Sequence, residues 1–434
     1  MVIPEGYKQT EMGVIPEEWN IITFEKCFKI IKNNTLSRAE LNEDVGTVKN
    51  IHYGDILVKF GNVLDCSSDK LPYISNPKKN TSSMYLMDGD IVIADTAEDE
   101  TVGKAVEISN IKSQKIVSGL HTIPCRATSP EMFANGWLGY YINHSTYHNQ
   151  LLPFITGTKV SAISKSSISS TQILVPSIEE QKHIADALSD IDGMISSLVK
   201  LIEKKKAVKQ GAMQELLTGK KRLPGFDGKW SMFVFCELFD FIPNNAFTRA
   251  QMSDNGNVKN IHYGDILTLF GSCIDGDNKS IPYVNQDVDL SSFSDRCYLQ
   301  SGDIIIADTA EDETVGKALE VDNVNSLILA GQHTLLCRPK IKFADKFLGY
   351  YLNAECYHDQ LLPFVVGTKV SSVSKSSVAQ TKLFVPDFEE QNAIASILSD
   401  VDNEIDALEQ KLEKARQLKQ GMMQQLLTGK IRLV

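Results

Sequence analysis

The sequence contains no long apolar run, no signal-peptide pattern in its first residues and no C-x-x-C pair, and each absence argues against a class of protein. No stretch approaches the roughly 18 apolar residues that a membrane span requires, and the first residues lack the basic and apolar regions of a signal peptide. The eight cysteines are scattered without a C-x-x-C pair, which excludes a disulfide framework and a zinc site of ordinary spacing. We therefore expect a soluble, cytoplasmic protein that contacts no membrane and binds no metal.

Basic residues are outnumbered by acidic ones. The 44 lysines and arginines against 55 aspartates and glutamates give a net charge of −11. This balance argues against a protein that binds nucleic acid alone through a large basic face. The chain also lacks a phosphate-binding loop (G-x-x-x-x-G-K-S/T), a dinucleotide fingerprint (G-x-G-x-x-G) and the Asn/Asp-Pro-Pro-aromatic motif of methyltransferases. Nucleotide-driven and methyl-transfer chemistry are therefore expected on other proteins.

The chain consists of two copies of one unit of about 210 residues. Positions 94–105 (ADTAEDETVGKA) recur letter for letter at 307–318, and 49–57 (KNIHYGDIL) recur at 259–267. Shorter blocks at 151–154, 157–161, 179–181 and 216–220 return at 361–364, 367–371, 389–391 and 426–430. This period is far longer than the repeat of a solenoid, so the pattern indicates a duplicated domain.

Each copy begins with a β-rich α/β domain. Period-2 alternation predicts strands at 19–24 and 230–235, and further strands are predicted at 55–60, 89–94 and 121–126. Helical spacing predicts a helix over 133–148 and its counterpart over 343–358. The predicted fold class is α/β, with two tandem domains that are each followed by a long helix.

After Pro176 and Pro386 the apolar residues fall at alternating steps of four and three, which is a heptad seam. Ser177 and Asp387 are predicted N-caps, and Gly219 and Gly429 end the helices. Pairing the two helices antiparallel would bury both seams and give internal pseudo-two-fold symmetry; the alternative is that each helix packs on its own domain. The predicted seam residues are Ile184, Leu188, Ile191, Ile195, Leu198, Ile202, Ile394, Leu398, Val401, Ile405, Leu408 and Leu412.

The sequence resembles the specificity subunit of type I restriction–modification enzymes. The resemblance covers essentially the whole chain and rests on a P-x-x-E-E-Q-x-x-I-A pattern that begins at Pro176 and again at Pro386. It implies target-recognition domains at 1–176 and 223–386 and spacer helices at 177–222 and 387–434. It also implies a DNA-recognition subunit without catalysis or a cofactor of its own. The implied partners are double-stranded DNA, two adenine-N6 methyltransferase subunits that bring S-adenosylmethionine, and motor-endonuclease subunits that use ATP and Mg²⁺.

The repeated blocks supply the candidate DNA contacts. Carboxylates can accept from cytosine N4, threonine methyl groups can contact thymine, and lysines and hydroxyls in the loop at 157–167 suit phosphates. The candidates in the first half are Asn50, His52, Tyr53, Thr96, Glu98, Asp99, Thr101, Lys104, His121, Lys159, Ser161 and Lys165. Those in the second half are Asn260, His262, Tyr263, Thr309, Glu311, Asp312, Thr314, Lys317, His333, Lys369, Ser371 and Lys375.

Other interpretations of these residues remain open. The acidic block can be a capped loop in which Asp95 and Thr96 bond nearby amides and Gly103 takes a positive φ. The lysines at 204–206 can be a solvated helix face or a contact to the duplex. As a whole, the chain can be a duplicated metal-dependent nuclease that uses Asp95 and Glu98, or a scaffold that binds proteins rather than DNA. If DNA is read, the near-identity of the halves predicts two near-identical inverted half-sites with a fixed gap between them.

Overall fold

The computed structural model describes residues 3–76, 83–157, 159–367 and 369–434. The chain divides into two compact units, one formed by Met1–Val199 with Lys411–Val434 and the other by Lys200–Gln410. Each unit therefore holds one duplicated domain, the start of the long helix that follows this domain, and the end of the other long helix. Within the described ranges no helix is both long and apolar enough to cross a membrane.

Among its described residues, the domain of the first unit contains fifteen strands and five short α-helices. The strands are β1 (Tyr7–Thr10), β2 (Gly13–Pro16), β3 (Asn20–Thr23), β4 (Phe28–Ile30), β5 (Leu41–Asn42), β6 (Lys49–Ile51), β7 (Val63–Asp65), β8 (Tyr73–Ile74), β9 (Ile91–Ala94), β10 (Thr96–Ala97), β11 (Ala105–Ser109), β12 (Ile116–Ser118), β13 (Thr122–Ala127), β14 (Ser161–Ala162) and β15 (Gln172–Val175). The helices are α1 (Phe24–Cys27), α2 (Tyr53–Val58), α3 (Trp137–Asn143), α4 (Ser145–His148) and α5 (Lys165–Ser169), and the long helix α6 (Ile178–Leu216) follows them.

Two sheets dominate this domain, a five-stranded sheet in the order β4-β13-β9-β11-β7 and a four-stranded sheet in the order β12-β6-β8-β5. Most pairs are antiparallel, and β11–β7 and β12–β6 are parallel. The central strand β9 is an unbroken apolar run because it is buried on both faces. Glu107 of the neighbouring strand β11 is a charged residue that is nevertheless buried in this sheet. Its carboxylate accepts from the backbone N–H groups of Gly136 and Gly139 at the start of α3 and so ties that helix to the sheet.

The second unit repeats this arrangement. Its strands are β16 (Ser231–Val234), β17 (Phe239–Ile242), β18 (Met252–Ser253), β19 (Val258–Ile261), β20 (Cys273–Asp275), β21 (Tyr283–Val284), β22 (Asp303–Ala307), β23 (Thr309–Ala310), β24 (Ala318–Asp322), β25 (Leu327–Ala330), β26 (Thr334–Pro339), β27 (Ser371–Ser372) and β28 (Lys382–Val385). Its helices are α7 (Phe235–Leu238), α8 (Tyr263–Thr268), α9 (Phe347–Leu352), α10 (Glu355–His358), α11 (Lys375–Ala379) and the long α12 (Phe388–Leu426). The five-stranded order β17-β26-β22-β24-β20 and the four-stranded order β18-β21-β19-β25 match those of the first unit.

The long helices begin and end where the sequence predicts. The Ser177 hydroxyl and the Asp387 carboxylate accept from the amides of Glu180 and Glu390, as N-caps do. Gly219 and Gly429 have φ of +65° and +70°, the left-handed conformation that ends a helix. The predicted N-caps and the predicted helix-ending glycines are therefore confirmed.

Within each unit the two helix segments run antiparallel. In the first unit, Asp192 of α6 pairs with Lys419 of α12, while His183, nearer the start of α6, bonds Leu433 beyond the end of α12. In the second unit, Lys209 pairs with Asp402 and Lys206 pairs with Glu409, which gives the same direction. Ile184 and Leu188 of the seam also lie in the core of the first domain, together with Leu426 of α12. These two seam residues therefore pack on the domain and beside the other long helix, and the predicted fold class is confirmed.

Two predictions about short elements are wrong or incomplete. The predicted strand at 55–60 is the helix α2, because His52 caps its N-terminus and Asp55 in its first turn is paired with Arg38. The predicted helix over 133–148 is two short helices, α3 and α4. They are separated at His144, whose extended backbone (φ −80°, ψ 147°) and imidazole cap α4.

Candidate nucleic-acid interface

Predicted site residues from three separate stretches meet at one surface of the first unit. The ring of Tyr53 lies 4.7 Å from that of His52 and 5.2 Å from that of His121, the latter edge to face. The Thr96 hydroxyl donates to Asp95 Oδ1 at 2.8 Å and lies 3.2 Å from His121 Nδ1. His121 has φ +55°, an uncommon conformation for a residue with a side chain, and it is half-exposed. The result is a cluster of hydroxyl, imidazole and phenol groups at the surface, in which Tyr53 and Thr96 are partly buried and His121 is exposed.

The second unit builds the same cluster from the same residue types. The ring of Tyr263 lies 4.6 Å from that of His262 and 5.3 Å from that of His333. Thr309 Oγ1 donates to Asp308 at 2.8 Å and lies 3.4 Å from His333 Nδ1, and φ of His333 is +56°. Sequence identity between the halves therefore extends to side-chain geometry.

Some predicted contact residues have local structural partners. Asn50 and Asn260 are fully buried, and their Oδ1 atoms accept from Asn34 and Asn245 at 2.7 Å. The Nδ1 atoms of His52 and His262 accept from the amides of Gly54 and Gly264, so both histidines cap helices and are mostly buried. Burial lowers the pKa of both imidazoles. In this conformation the asparagines lie inside the domain, and Tyr53 and Tyr263 are more accessible than His52 and His262.

Lys104 and Lys317 point inward rather than toward solvent. Lys104 Nζ donates to the carbonyl oxygens of Leu57 at 2.9 Å and Phe60 at 3.2 Å, at the C-terminal end of α2. Lys317 does the same at the end of α8, with Phe270 O at 2.8 Å. Burial lowers the pKa of both ammonium groups. The structure therefore gives these lysines a helix-capping role that the sequence pattern did not reveal.

The acidic block ends in an exposed loop. Asp99 accepts from the backbone amide and hydroxyl of Thr101, and Asp312 accepts in the same way from Thr314. These hydrogen bonds lower the pKa of Asp99 and Asp312. The neighbouring Glu98 and Glu311 are exposed. The predicted positive φ at Gly103 is confirmed at +91°.

Residues 159–165 lie beside the acidic block. Strand β14 pairs with β10, which places Ala162 opposite Thr96 and Ser161 opposite Ala97, and β27 pairs with β23 through Ser371 and Ser372. Lys159 and Lys369 are exposed, and Lys165 begins α5 behind the N-cap Ser164. Lys375, the counterpart of Lys165, lies 4.8 Å from the centre of the Phe241 ring. Thr158 and Thr368, in the same loops, are outside the described residues.

Two arginines beside the cluster are absent from the predicted set. Arg38 Nη1 contacts Asp55 Oδ2 at 2.6 Å, and Arg249 Nη2 contacts Asp265 Oδ1 at the same distance. Both guanidinium groups are about half-exposed, beside the N-termini of α2 and α8. Aligning S-R-A-E at 37–40 with T-R-A-Q at 248–251 would have found them, although the two blocks are similar rather than identical.

The lysine run of α6 is partly engaged by the other long helix. Lys205 and Lys206 pair with Glu404 and Glu409 of α12 within the second unit. All four side chains are partly exposed to solvent, so these pairs contribute little stability. Across the described part of the chain, no group of three or more His, Cys, Asp or Glu side chains is placed to hold a metal ion.

Comparison with known proteins identifies the family. The type I restriction modification DNA specificity domain matches residues 16–210 and again 228–417. The chain is 26% identical over 442 residues to a Methanocaldococcus jannaschii protein named "Putative type I restriction enzyme MjaX specificity subunit", covering 99% of this chain and 97% of that one. It is also 26% identical over 294 residues to the type I restriction enzyme MjaVIII specificity subunit of the same organism, which covers 64% of this chain and 66% of that protein.

A solved structure agrees on the fold. The type I restriction-modification system S subunit from M. genitalium superimposes with a TM-score of 0.55 over 94% of this chain and 96% of its own, at 12% identity. At that identity the likeness concerns the fold alone. The match of the family domain to both halves carries the assignment: the chain belongs to the type I restriction–modification DNA specificity family and is a specificity subunit of such a system.

Proposed function

We propose that this specificity subunit reads a bipartite DNA target whose two half-sites are nearly identical in sequence. The observation that carries the proposal is the recurrence of the tyrosine–histidine–threonine cluster, with matching distances, in both units. Base edges are distinguished by the types and positions of donors, acceptors and apolar groups. Two surfaces that present the same groups at the same spacing therefore favour the same bases.

We further infer that the half-sites are inverted and separated by a gap of fixed length. Duplex DNA has a two-fold axis perpendicular to its length, and a protein with matching symmetry reads inverted repeats. The antiparallel direction of the helix segments in each unit supports such symmetry. Helices of 39 residues are about 60 Å long and suit a spacer of constant length.

The proposed partners are two adenine-N6 methyltransferase subunits and, in the full complex, motor-endonuclease subunits. S-adenosylmethionine, ATP and Mg²⁺ would be bound by those subunits, and this chain would contribute recognition without catalysis. A net charge of −11 supports shared binding, because a chain this acidic needs partners to supply much of the basic surface around a duplex. We expect the assembly to act on DNA in the cytoplasm.

The direct test is to co-purify the chain with the products of neighbouring genes and to map the N6-methyladenine motif that the complex deposits. We expect two near-identical inverted half-sites of a few base pairs each, separated by an unread gap. Two unrelated half-sites would refute the inference from duplicated geometry.

A second test changes the helices. Inserting four residues, about one turn, into both α6 and α12 adds about 6 Å to each helix. We expect the gap to lengthen by one or two base pairs while the bases read stay the same. A change in the bases without a change in the gap would contradict the proposed division of labour between domains and helices.

A further inference from the structure

A polar network in the first unit joins the domain to both long helices. The Tyr140 hydroxyl of α3 donates to Asp192 Oδ2 of α6 at 2.9 Å. Lys419 of α12 contacts the other oxygen of this carboxylate at 2.6 Å, and its ammonium lies 5.6 Å from the centre of the Tyr140 ring. One carboxylate thus holds a residue of the domain and a residue of the other helix at one point on α6.

The second unit contains the same network with the roles of the helices exchanged. The Tyr350 hydroxyl donates to Asp402 Oδ2 of α12 at 2.8 Å. Lys209 of α6 contacts Asp402 Oδ1 at 2.6 Å and lies 5.3 Å from the Tyr350 ring centre. The geometry of the three groups matches that of the first unit to within a few tenths of an ångström.

A second kind of network lies nearer the start of each long helix. Glu180 is fully buried and accepts from Trp19 Nε1 at 2.9 Å and from Arg432 Nε at 2.6 Å. In the second unit, buried Glu390 accepts from Trp230 Nε1 at 3.0 Å and from Arg222 Nε at 2.6 Å. Each glutamate belongs to one long helix, each tryptophan to the adjacent domain, and each arginine to the segment that follows the other long helix.

The apolar seam does not by itself select one alignment of the helices. Its residues repeat every seven positions, so a slip of one heptad places apolar side chains opposite apolar side chains again. The same slip would separate Glu180 from Arg432 and Asp192 from Lys419. The Glu180 carboxylate is buried, and leaving a buried charge without its partner is far more costly than exchanging one apolar contact for another.

The spacing of the four networks is consistent with a single alignment. Seventeen residues separate Asp192 from Lys209 along α6, and seventeen separate Asp402 from Lys419 along α12. Glu180 and Arg222 are 42 positions apart, as are Glu390 and Arg432. All four networks can therefore form together in only one register of two antiparallel helices.

We propose that Asp192, Asp402, Glu180 and Glu390 are positioning residues that select the register of α6 against α12. The register in turn sets the length of the unread gap, and this part of the inference rests on the proposed function. The residues touch no base in this role. They act by fixing the position along the two helices at which each domain is held.

The test substitutes Asp192→Asn, Asp402→Asn, Glu180→Gln and Glu390→Gln together in the full chain assembled with its methyltransferase subunits. Unnatural amino acids with nitroxide labels at Ser197 and Lys414, both exposed and both in the first unit, report the helix register by pulsed EPR. We expect one label distance in the unsubstituted protein and an additional distance in the variant, because a slip of seven residues moves the helices by about 10 Å. The methylated motif should then show a second gap length that differs by about three base pairs, with unchanged half-sites.

The matched control is Glu404→Gln with Glu409→Gln, which removes the exposed pairs to Lys205 and Lys206 that have no counterpart in the first unit. Its label distance and gap should stay single. If the fourfold variant fails to fold, Lys209→Gln, Arg222→Gln, Lys419→Gln and Arg432→Gln together break all four networks from the cationic side and should weaken the register in the same direction. One unchanged label distance in the variant that folds overturns the proposal, whereas an altered distance with one unchanged gap overturns the link to the gap. If the unsubstituted complex deposits no bipartite motif, the proposed function fails, and the label distances still decide the register.

Discussion

Replacing Lys159 and Lys369 with alanine should weaken DNA binding and make the remaining binding less sensitive to salt. Both lysines are exposed, and neither forms an ion pair with the described residues. Their loops are held beside the candidate interface by the pairing of β14 with β10 and of β27 with β23. An exposed cation held at the edge of the candidate interface is suited to contact a phosphate.

The expected magnitude follows from counting one phosphate contact for each lysine. Each contact contributes about 0.9 to the slope of log K against log salt, so the double variant should lose about 1.8 from the slope. Between 50 and 200 mM salt, the affinity of the unsubstituted complex should therefore fall about twelvefold more than that of the variant. Fluorescence anisotropy of the complex with its methyltransferase subunits, on a duplex that contains the mapped motif, measures both slopes.

The matched control is Lys104→Met with Lys317→Met. These ammonium groups are half-buried and donate to the carbonyls that end α2 and α8. Removing them should cost about 1–2 kcal/mol at each position in thermal unfolding and leave the salt slope unchanged. An unchanged slope in the Lys159 and Lys369 variant, or a reduced slope in the control, would refute the reasoning.

Three further predictions concern the loops, the buried carboxylates and the absence of nuclease activity. Gly157→Ala or Gly367→Ala should disorder its loop and weaken DNA binding, because φ is +111° or +125° and a Cβ would collide with the carbonyl oxygen of Val160 or Val370. Amide hydrogen exchange would show the disorder, and protection equal to that of the unsubstituted chain would contradict this prediction. Burial raises the pKa of Glu107 to about 7 and of Glu320 to about 8, from a usual value near 4.5. An acid whose pKa is raised on folding loses its contribution to stability as pH rises through the folded pKa, so the free energy of unfolding should fall between pH 5 and pH 8 and fall less in Glu107→Gln with Glu320→Gln. The isolated chain with Mn²⁺ should not cut DNA, and cleavage lost in Asp95→Asn would instead favour a metal-dependent nuclease.

Much of the architecture was predictable because it depends on neighbouring residues. The heptad seam, the caps at Ser177 and Asp387, and the glycines that end the helices are set by local periodicity and backbone conformation. The duplication itself is a property of the letters. It predicts that a surface formed by the repeated residues of one half is formed again by the matching residues of the other half.

Only the tertiary structure decided which of the repeated residues face outward. Lys104 and Lys159 are both lysines in repeated blocks, yet one caps a helix and the other is exposed. The helix at 53–58 was mistaken for a strand because its cap, His52, and the partner of Asp55, Arg38, cannot be recognised from apolar spacing. The carboxylates that join the helices to the domains were equally hidden, because Asp192 meets Tyr140 and Lys419 only after segments far apart in the chain have packed. Local sequence determines the periodicity of an element, whereas the partner of a polar group is determined by the fold that brings distant segments together.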